Sequence, residues 1–302
     1  MVNDDGPPSP LSSPYIHSLV KTLQEAGHVV SVVLPHTQRS WIGKAHMVGQ
    51  TVKPLYFRPG ALYENDGTIH KRPTPPELNP REEWILVDGT PASCVHIGLY
   101  HFFQDRGLVD LVISGPNYGR NSTAVFGLSS GTLGGALEAA LCKKKAIAVS
   151  FAFESRNHDP VVIAAASRQS LKVIEYLSKN WDPNTDLYSV NIPLVESVEA
   201  NKVMLTNMLQ NYWGPTSCFE EIEDESGDVD DEEQSTKESE GILEDGFSET
   251  MPTRHKHKHF KWAPKFADVY KSVEVSPPGN DGWAVRQGFT RSSPPHFCSA
   301  VL

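Results

Sequence analysis

Apolar residues along the chain fall into short continuous runs that alternate with longer stretches in which they recur every three or four positions. The runs at 28–34 (HVVSVVL), 84–87 (WILV), 109–113, 146–150 and 187–192 have the length and β-branched content of strands buried on both faces. Between them, Tyr15, Ile16, Leu19, Val20 and Leu23 keep helical spacing after Ser13 and Pro14, and Gly27 ends the pattern. Thr90 and Pro91 suit the N-cap and first position of a helix reaching about Phe103, and residues 161–179 read as a long amphipathic helix. Ser129-Ser130-Gly131-Thr132 opens a small-residue helix through Leu141. This alternation predicts a doubly covered, mostly parallel, Rossmann-like α/β sheet with right-handed crossovers. Residues 51–83 read as a proline-rich excursion with one short strand at 55–57. The alternation stops past Asn201, residues 283–289 read as a closing strand, and 292–295 read as a loop.

Composition adds bounds. A chain of 302 residues with 39% apolar and 21% charged positions can bury the core of one main globular domain. Cys94, Cys142, Cys218 and Cys298 lack short metal-type spacing, so neither a zinc site nor a disulfide framework is expected, and a reducing, cytoplasmic setting is. No run has the length of a membrane span, and the start lacks the regions of a signal peptide. A net charge of −10 argues against general nucleic-acid binding, although much of it sits in one segment. That segment, 220–249, holds fifteen acidic residues and only Lys237, too charged to fold alone and expected to be a solvated insertion. The tract Arg254-His255-Lys256-His257-Lys258-His259 that follows offers metal- or phosphate-binding groups, or a counter-charge to the acidic run. The expected organisation is a core over 1–200, a connection over 201–219, an acidic then basic insertion over 220–260 and an extension over 261–302.

The predicted strands end in polar loops, and in an open α/β sheet ligands bind at that edge. Asn3-Asp4-Asp5-Gly6 looks like such a loop, although by itself it also reads as a plain turn. Only Met1 and Val2 precede it where a strand needs about five residues, so Asp4 and Asp5 are expected to lack a fixed backbone, as exposed loop carboxylates. The run at 28–34 leads to Ser40, and the run at 109–113 stops at Ser114-Gly115-Pro116-Asn117. Two carboxylates, an amide oxygen and a hydroxyl form a hard oxygen set suited to magnesium or manganese.

Five motifs carry a close resemblance to the survival protein SurE family: Asn3-Asp4-Asp5-Gly6, Gly89-Thr90-Pro91-Ala92-Ser93-Cys94-Val95, Ser114-Gly115-Pro116-Asn117-Tyr118-Gly119-Arg120-Asn121, Ser130-Gly131-Thr132-Leu133-Gly134-Gly135-Ala136 and Asn191-Ile192-Pro193. Within it, Trp41-Ile42-Gly43-Lys44-Ala45-His46 and residues 276–283 are most similar to the fungal, acid-phosphatase-like branch. The resemblance implies a three-layer fold with a C-terminal β extension, and one Mg2+ or Mn2+ ion held by Asp4, Asp5, Ser40 and Asn117. It implies hydrolysis of nucleoside monophosphates or related phosphate monoesters, with Asp4, Asp5 and Asn117 catalytic and Ser130, Gly131 and Thr132 binding phosphate. It also implies a homo-oligomer, a dimer or tetramer. A non-catalytic scaffold, weakened by the short first strand and using its charged tracts to contact partners, is the competing expectation.

Overall fold

The computed structural model describes residues 1–60, 64–75, 82–153, 158–222 and 258–293. Most of the acidic run, Arg254 to His257 of the basic tract, residues 294–295 and Cys298 lie outside the described residues. The chain divides into one compact unit of 1–212 with 269–302 and a second of 213–268.

In chain order the first unit begins with α1 (Ile16–Glu25), β1 (Val33–Pro35), β2 (Leu55–Pro59), β3 (Gly67–His70), β4 (Trp84–Val87) and α2 (Pro91–His101). Then come β5 (Leu111–Tyr118), α3 (Ala124–Ser129), α4 (Gly131–Leu141), β6 (Lys145–Ala152), α5 (Pro160–Lys179), β7 (Leu187–Pro193) and β8 (Val203–Leu205). One sheet has the order β1-β4-β2-β3, with β1 and β4 parallel. In the other, β5, β6 and β7 run parallel. Met1 and Val2 lie between the two sheets: Val33 N–H donates to Met1 O (2.9 Å), Val2 N–H to Ile113 O (2.9 Å) and Gly115 N–H to Val2 O (2.6 Å). Met1 and Val2 thus bridge β1 of one sheet and β5 of the other.

The apolar run from His28 is a strand only from Val33, with Val32 O accepting from Ile85 N–H (2.9 Å) just before it, and the run from Val109 is a strand only from Leu111; the residues ahead of these do not continue the strands. They line a groove of about 740 Å3 with Met1, Val30, Ser31 and Val109 on its walls.

The pleat of β6 divides the core. Ile147, Val149 and Phe151 pack with Leu19 of α1 and Ile163, Val173 and Ile174 of α5, while Ala146 and Ala148 pack with Val95 of α2 and Leu133, Ala136 and Ala139 of α4. These are three layers, helices on each face of a mostly parallel sheet. A one-residue slip of β6 would exchange the large and small sets, so the register is firmly fixed.

Several expectations are corrected. The β5 strand does not stop at Ser114 but continues to Tyr118 through an irregularity between Ser114 and Asn117. Between β5 and Ser130 lies a further helix, α3, capped by Thr123, whose hydroxyl accepts from Phe126 N–H (3.3 Å). The closing strand expected at 283–289 is largely a helix, α7 (Asp281–Arg286), because the Asn280 side chain accepts from Trp283 N–H (3.1 Å) as an N-cap. The strand is the next segment, β11 (Thr290–Ser293), inserted antiparallel to β7 and parallel to β8. Burial of Arg291 against Asp281 lets a polar segment that reads as a loop lie inside the sheet.

In the second unit, β9 (Phe219–Ile222) and β10 (His259–Trp262) pair antiparallel. The start of the acidic run is thus a strand, and Lys258 Nζ lies 2.9 Å from Glu221 Oε2, so the edges of the acidic and basic tracts offset one another. A further helix, α6, covers Ala267–Glu274. Among the described residues no helix is long and apolar enough to cross a membrane. Cys94, Cys142 and Cys218 are free thiols.

Candidate active site

Asp4 and Asp5 are only 2% exposed each, not the exposed loop carboxylates expected. Nor is their backbone loose. The buried Asn3 amide donates to Gly6 O (3.0 Å) and accepts from Gly6 N–H (3.0 Å), closing the turn, and Arg39 N–H donates to Asp4 O (2.7 Å).

The sheet delivers the partners. Thr132 donates its hydroxyl to Asp4 Oδ1 (2.6 Å), and the first-turn amides of Gly131 and Thr132 bond the same carboxylate. A Cβ on Gly131 would stand 2.8 Å from Asp4 Cβ, so only glycine lets the start of α4 approach this closely. The end of β5 supplies Tyr118 N–H to Asp5 Oδ2 (2.7 Å), and Gln38 reaches Asp5 Oδ1 at 3.4 Å. Burial raises the Asp4 carboxyl above its ordinary range despite these donors. Asp5 is held well above it, first by burial and then by the adjacent Asp4 charge. The nearby cations are engaged elsewhere: Arg39 with Asp88 (2.7 Å) and Lys44 with Glu138 (2.7 Å). Two buried neighbouring carboxylates without a counter-charge among the described residues suit a hard divalent cation in both charge and donor type.

The other expected ligands each adjoin a residue whose backbone bonds the Asp4–Asp5 segment. Asn117 precedes Tyr118 and gives its amide to Gly119 O (3.0 Å). Ser40 follows Arg39 and is exposed on its loop. Ser130 caps α4, accepting from Leu133 N–H (3.3 Å) and from the Asn121 amide (2.8 Å).

Sequence reasoning missed a supporting network. The Asn121 amide also donates to Ser150 Oγ (3.0 Å), its backbone N–H donates to Asn191 Oδ1 (2.7 Å), and its carbonyl accepts from Arg291 (2.7 Å). Asn121 and Asn191 lie in the family motifs, and those motifs were the available signal. Tyr118 also belongs to an aromatic group beside Asp5, with its hydroxyl 3.1 Å from His158 Nε2 and its ring stacked on Phe153 at 4.9 Å.

A profile of the Survival protein SurE family matches residues 1–215. A probable tubulin–tyrosine ligase of Saccharomyces cerevisiae is 37% identical over 296 residues, which are 90% of this chain and 36% of that protein. The 5′-nucleotidase SurE of Geobacter metallireducens is 31% identical over 193 residues, 64% of this chain and 63% of the other. That of Ruegeria pomeroyi is 34% identical over 209 residues, 66% of this chain and 68% of the other. The chain therefore spans about a third of the yeast relative and under two thirds of the Geobacter one. In fold it resembles the crystal structure of the SurE protein from Aquifex aeolicus, with a TM-score of 0.62 and 22% identity over 98% of this chain and 91% of that one.

Proposed function

Because this chain belongs to the survival protein SurE family, we propose that it is a divalent-metal-dependent phosphomonoesterase acting on nucleoside monophosphates or related phosphate monoesters. The observation that carries this reading is the buried Asp4–Asp5 pair set against the first turn of α4. Relatives named 5′-nucleotidase support the reaction class.

In this reading Asp4 and Asp5 hold a Mg2+ or Mn2+ ion, with Ser40 and Asn117 completing an oxygen shell. When bound, such an ion polarises a phosphoryl oxygen and lowers the pKa of a water. Everything else is done by the chain. Thr132 and the amides of Gly131 and Thr132 orient Asp4, and Tyr118 N–H orients Asp5, so the carboxylates are aimed before ligand arrives. In the same reading the N-terminal end of α4, at Ser130, Gly131 and Thr132, turns its partial positive charge towards a phosphate dianion, while the Gly131 and Thr132 donors themselves hold Asp4. The arrangement depends on Asn121, which fixes Ser130 and is itself fixed by Arg291 and Asn191.

The test is hydrolysis of p-nitrophenyl phosphate and of the nucleoside monophosphates with and without EDTA. Turnover that requires Mg2+ or Mn2+ is expected. Hydrolysis indifferent to EDTA would overturn the metal assignment, and no hydrolysis of any of these esters would favour a scaffold.

A further inference from the structure

At the opposite end of α4 from Asp4, a second group of ligand-type side chains converges. Glu138 and Cys142 stand one turn apart at the end of the helix, and His96 projects from α2, its Nε2 3.3 Å from Glu138 Oε1. One ligand atom each from His96, Glu138 and Cys142 lie within 4.8 Å of one another. His46, on the loop beyond Ser40, places Nε2 3.5 Å from Glu138 Oε2, while its Nδ1 is 3.0 Å from Ser93 Oγ. An imidazole whose second nitrogen is held by a hydroxyl is oriented as metal-bound histidines are. The Tyr100 hydroxyl hydrogen-bonds Cys142.

We propose that His46, His96, Glu138 and Cys142 form a second metal site, for a borderline transition ion of the zinc class. Two imidazoles, a thiolate and a carboxylate are the donors of a tetrahedral zinc site, whereas the oxygens at Asp4 and Asp5 suit a hard ion. Bonds of ~2.0–2.3 Å put tetrahedral ligand atoms about 3.3–3.8 Å apart. His96 Nε2 stands at such a distance from Glu138 Oε1 and His46 Nε2 from Glu138 Oε2, so the two imidazoles face the two oxygens of one carboxylate, and the Cys142 sulfur lies within 4.8 Å of the His96 and Glu138 ligand atoms. The negative end of the α4 dipole adds to the attraction for a cation. Glu138 is now neutralised by Lys44, 2.7 Å away, whose partly exposed ammonium on a flexible stem can turn to water as the ion enters.

The loop bearing His46 is already seated against both helices. Thr90 at the start of α2 donates to Ala45 O (2.5 Å), Gly43 N–H donates to Ser129 O (2.8 Å), and a Cβ on Gly134 would collide with the Gly43 carbonyl. An ion at this site would pin the loop that carries Ser40, and so tie one wall of the Asp4–Asp5 site to the helices beneath it.

The test uses Co2+ as the probe, added to the metal-stripped full chain in excess Mg2+. One tightly bound Co2+ per chain is expected, with a thiolate-to-cobalt charge-transfer band, displaced by Zn2+. Cys142→Ser should remove the band, and His96→Gln should weaken binding about tenfold or more. Asp4→Asn, Cys218→Ser and the pair His255→Asn/His257→Asn should leave both unchanged, which separates this site from the hard-ion site and from the basic tract. A band that survives Cys142→Ser, binding lost with His255 and His257, or no tight binding would overturn the proposal. Should Cys142→Ser fail to fold by circular dichroism, the half-exposed His96→Gln decides the matter alone.

Discussion

Asp4 combines burial, a charged neighbour and hydrogen-bonded orientation, so its substitution separates activity from stability. Asp4→Asn still accepts the Thr132 hydroxyl but removes a charge, and turnover should fall by two or more orders of magnitude, as about 3 kcal/mol of lost transition-state stabilisation requires. Its metal-free melting temperature should not fall. Both carboxyls are raised in the fold, so the folded pair resists ionising as pH climbs past the ordinary carboxylate range, and stability is lost over that climb. The variant's stability gain in EDTA should therefore be larger at pH 7 than at pH 4. Parallel loss of activity and melting temperature would count against a catalytic role. His17 gives the opposite sign. Fully buried beside Phe57 and Trp84, with Nδ1 accepting from Asn65 N–H (2.9 Å), it is lowered by burial to about 4. The neutral ring contributes stability that is fully present above pH 6.5 and lost as pH falls towards 4, on the order of 3 kcal/mol. Denaturant titrations of wild type and His17→Phe across that window should converge as pH falls.

Among the elements, β11 depends most on one interaction. Arg291 pairs with Asp281 in full burial, Thr206 bonds the other Asp281 oxygen (2.6 Å), and Arg291 also holds the Asn121 carbonyl. Arg291→Ala should destabilise by about 3–5 kcal/mol because it strands a buried carboxylate, and should lower turnover through Asn121. Replacing both partners, Arg291→Met with Asp281→Leu, should recover most of the stability by chemical denaturation but not the turnover. A double variant as unstable as the single one would show that the pair is more than a compensated burial. The acidic run makes the reverse prediction. With β9 and β10 retained, a short Gly/Ser linker in place of residues 223–257 should leave turnover and melting temperature nearly unchanged, since loop length is thermodynamically cheap.

For the whole molecule, the junction of the two sheets is the weak point. Val33 N–H donates to Met1 O on one side of it, and Val2 N–H donates to Ile113 O on the other. Val2→Pro would remove the donor to Ile113 O and so loosen the junction. The expected outcome is a lower melting temperature by calorimetry. A variant that melts like the wild type would mean that the junction contributes little to stability.

The strands at 84–87, 146–150 and 187–192 and the helices of α1, α2, α4 and α5 were legible in the sequence, because burial on both faces writes continuous apolar runs and burial on one face writes a helical period. Asp4, Asp5 and the Ser130-Gly131-Thr132 helix start were picked out in the sequence as local patterns at strand ends, and the structure sets Asp4 against that helix start; their roles are those of the proposed function. Local patterns carry no information on which distant groups meet. Tertiary structure alone placed Thr132 on Asp4 and Tyr118 N–H on Asp5, buried the two carboxylates, and made Ser292-Ser293, the start of an apparent loop, the end of a strand by supplying Asp281 to the neighbouring Arg291. It also brought His46, His96, Glu138 and Cys142 together from one loop and two helices. Their spacing along the chain could not show this, because helix packing, not sequence separation, sets the distance between them.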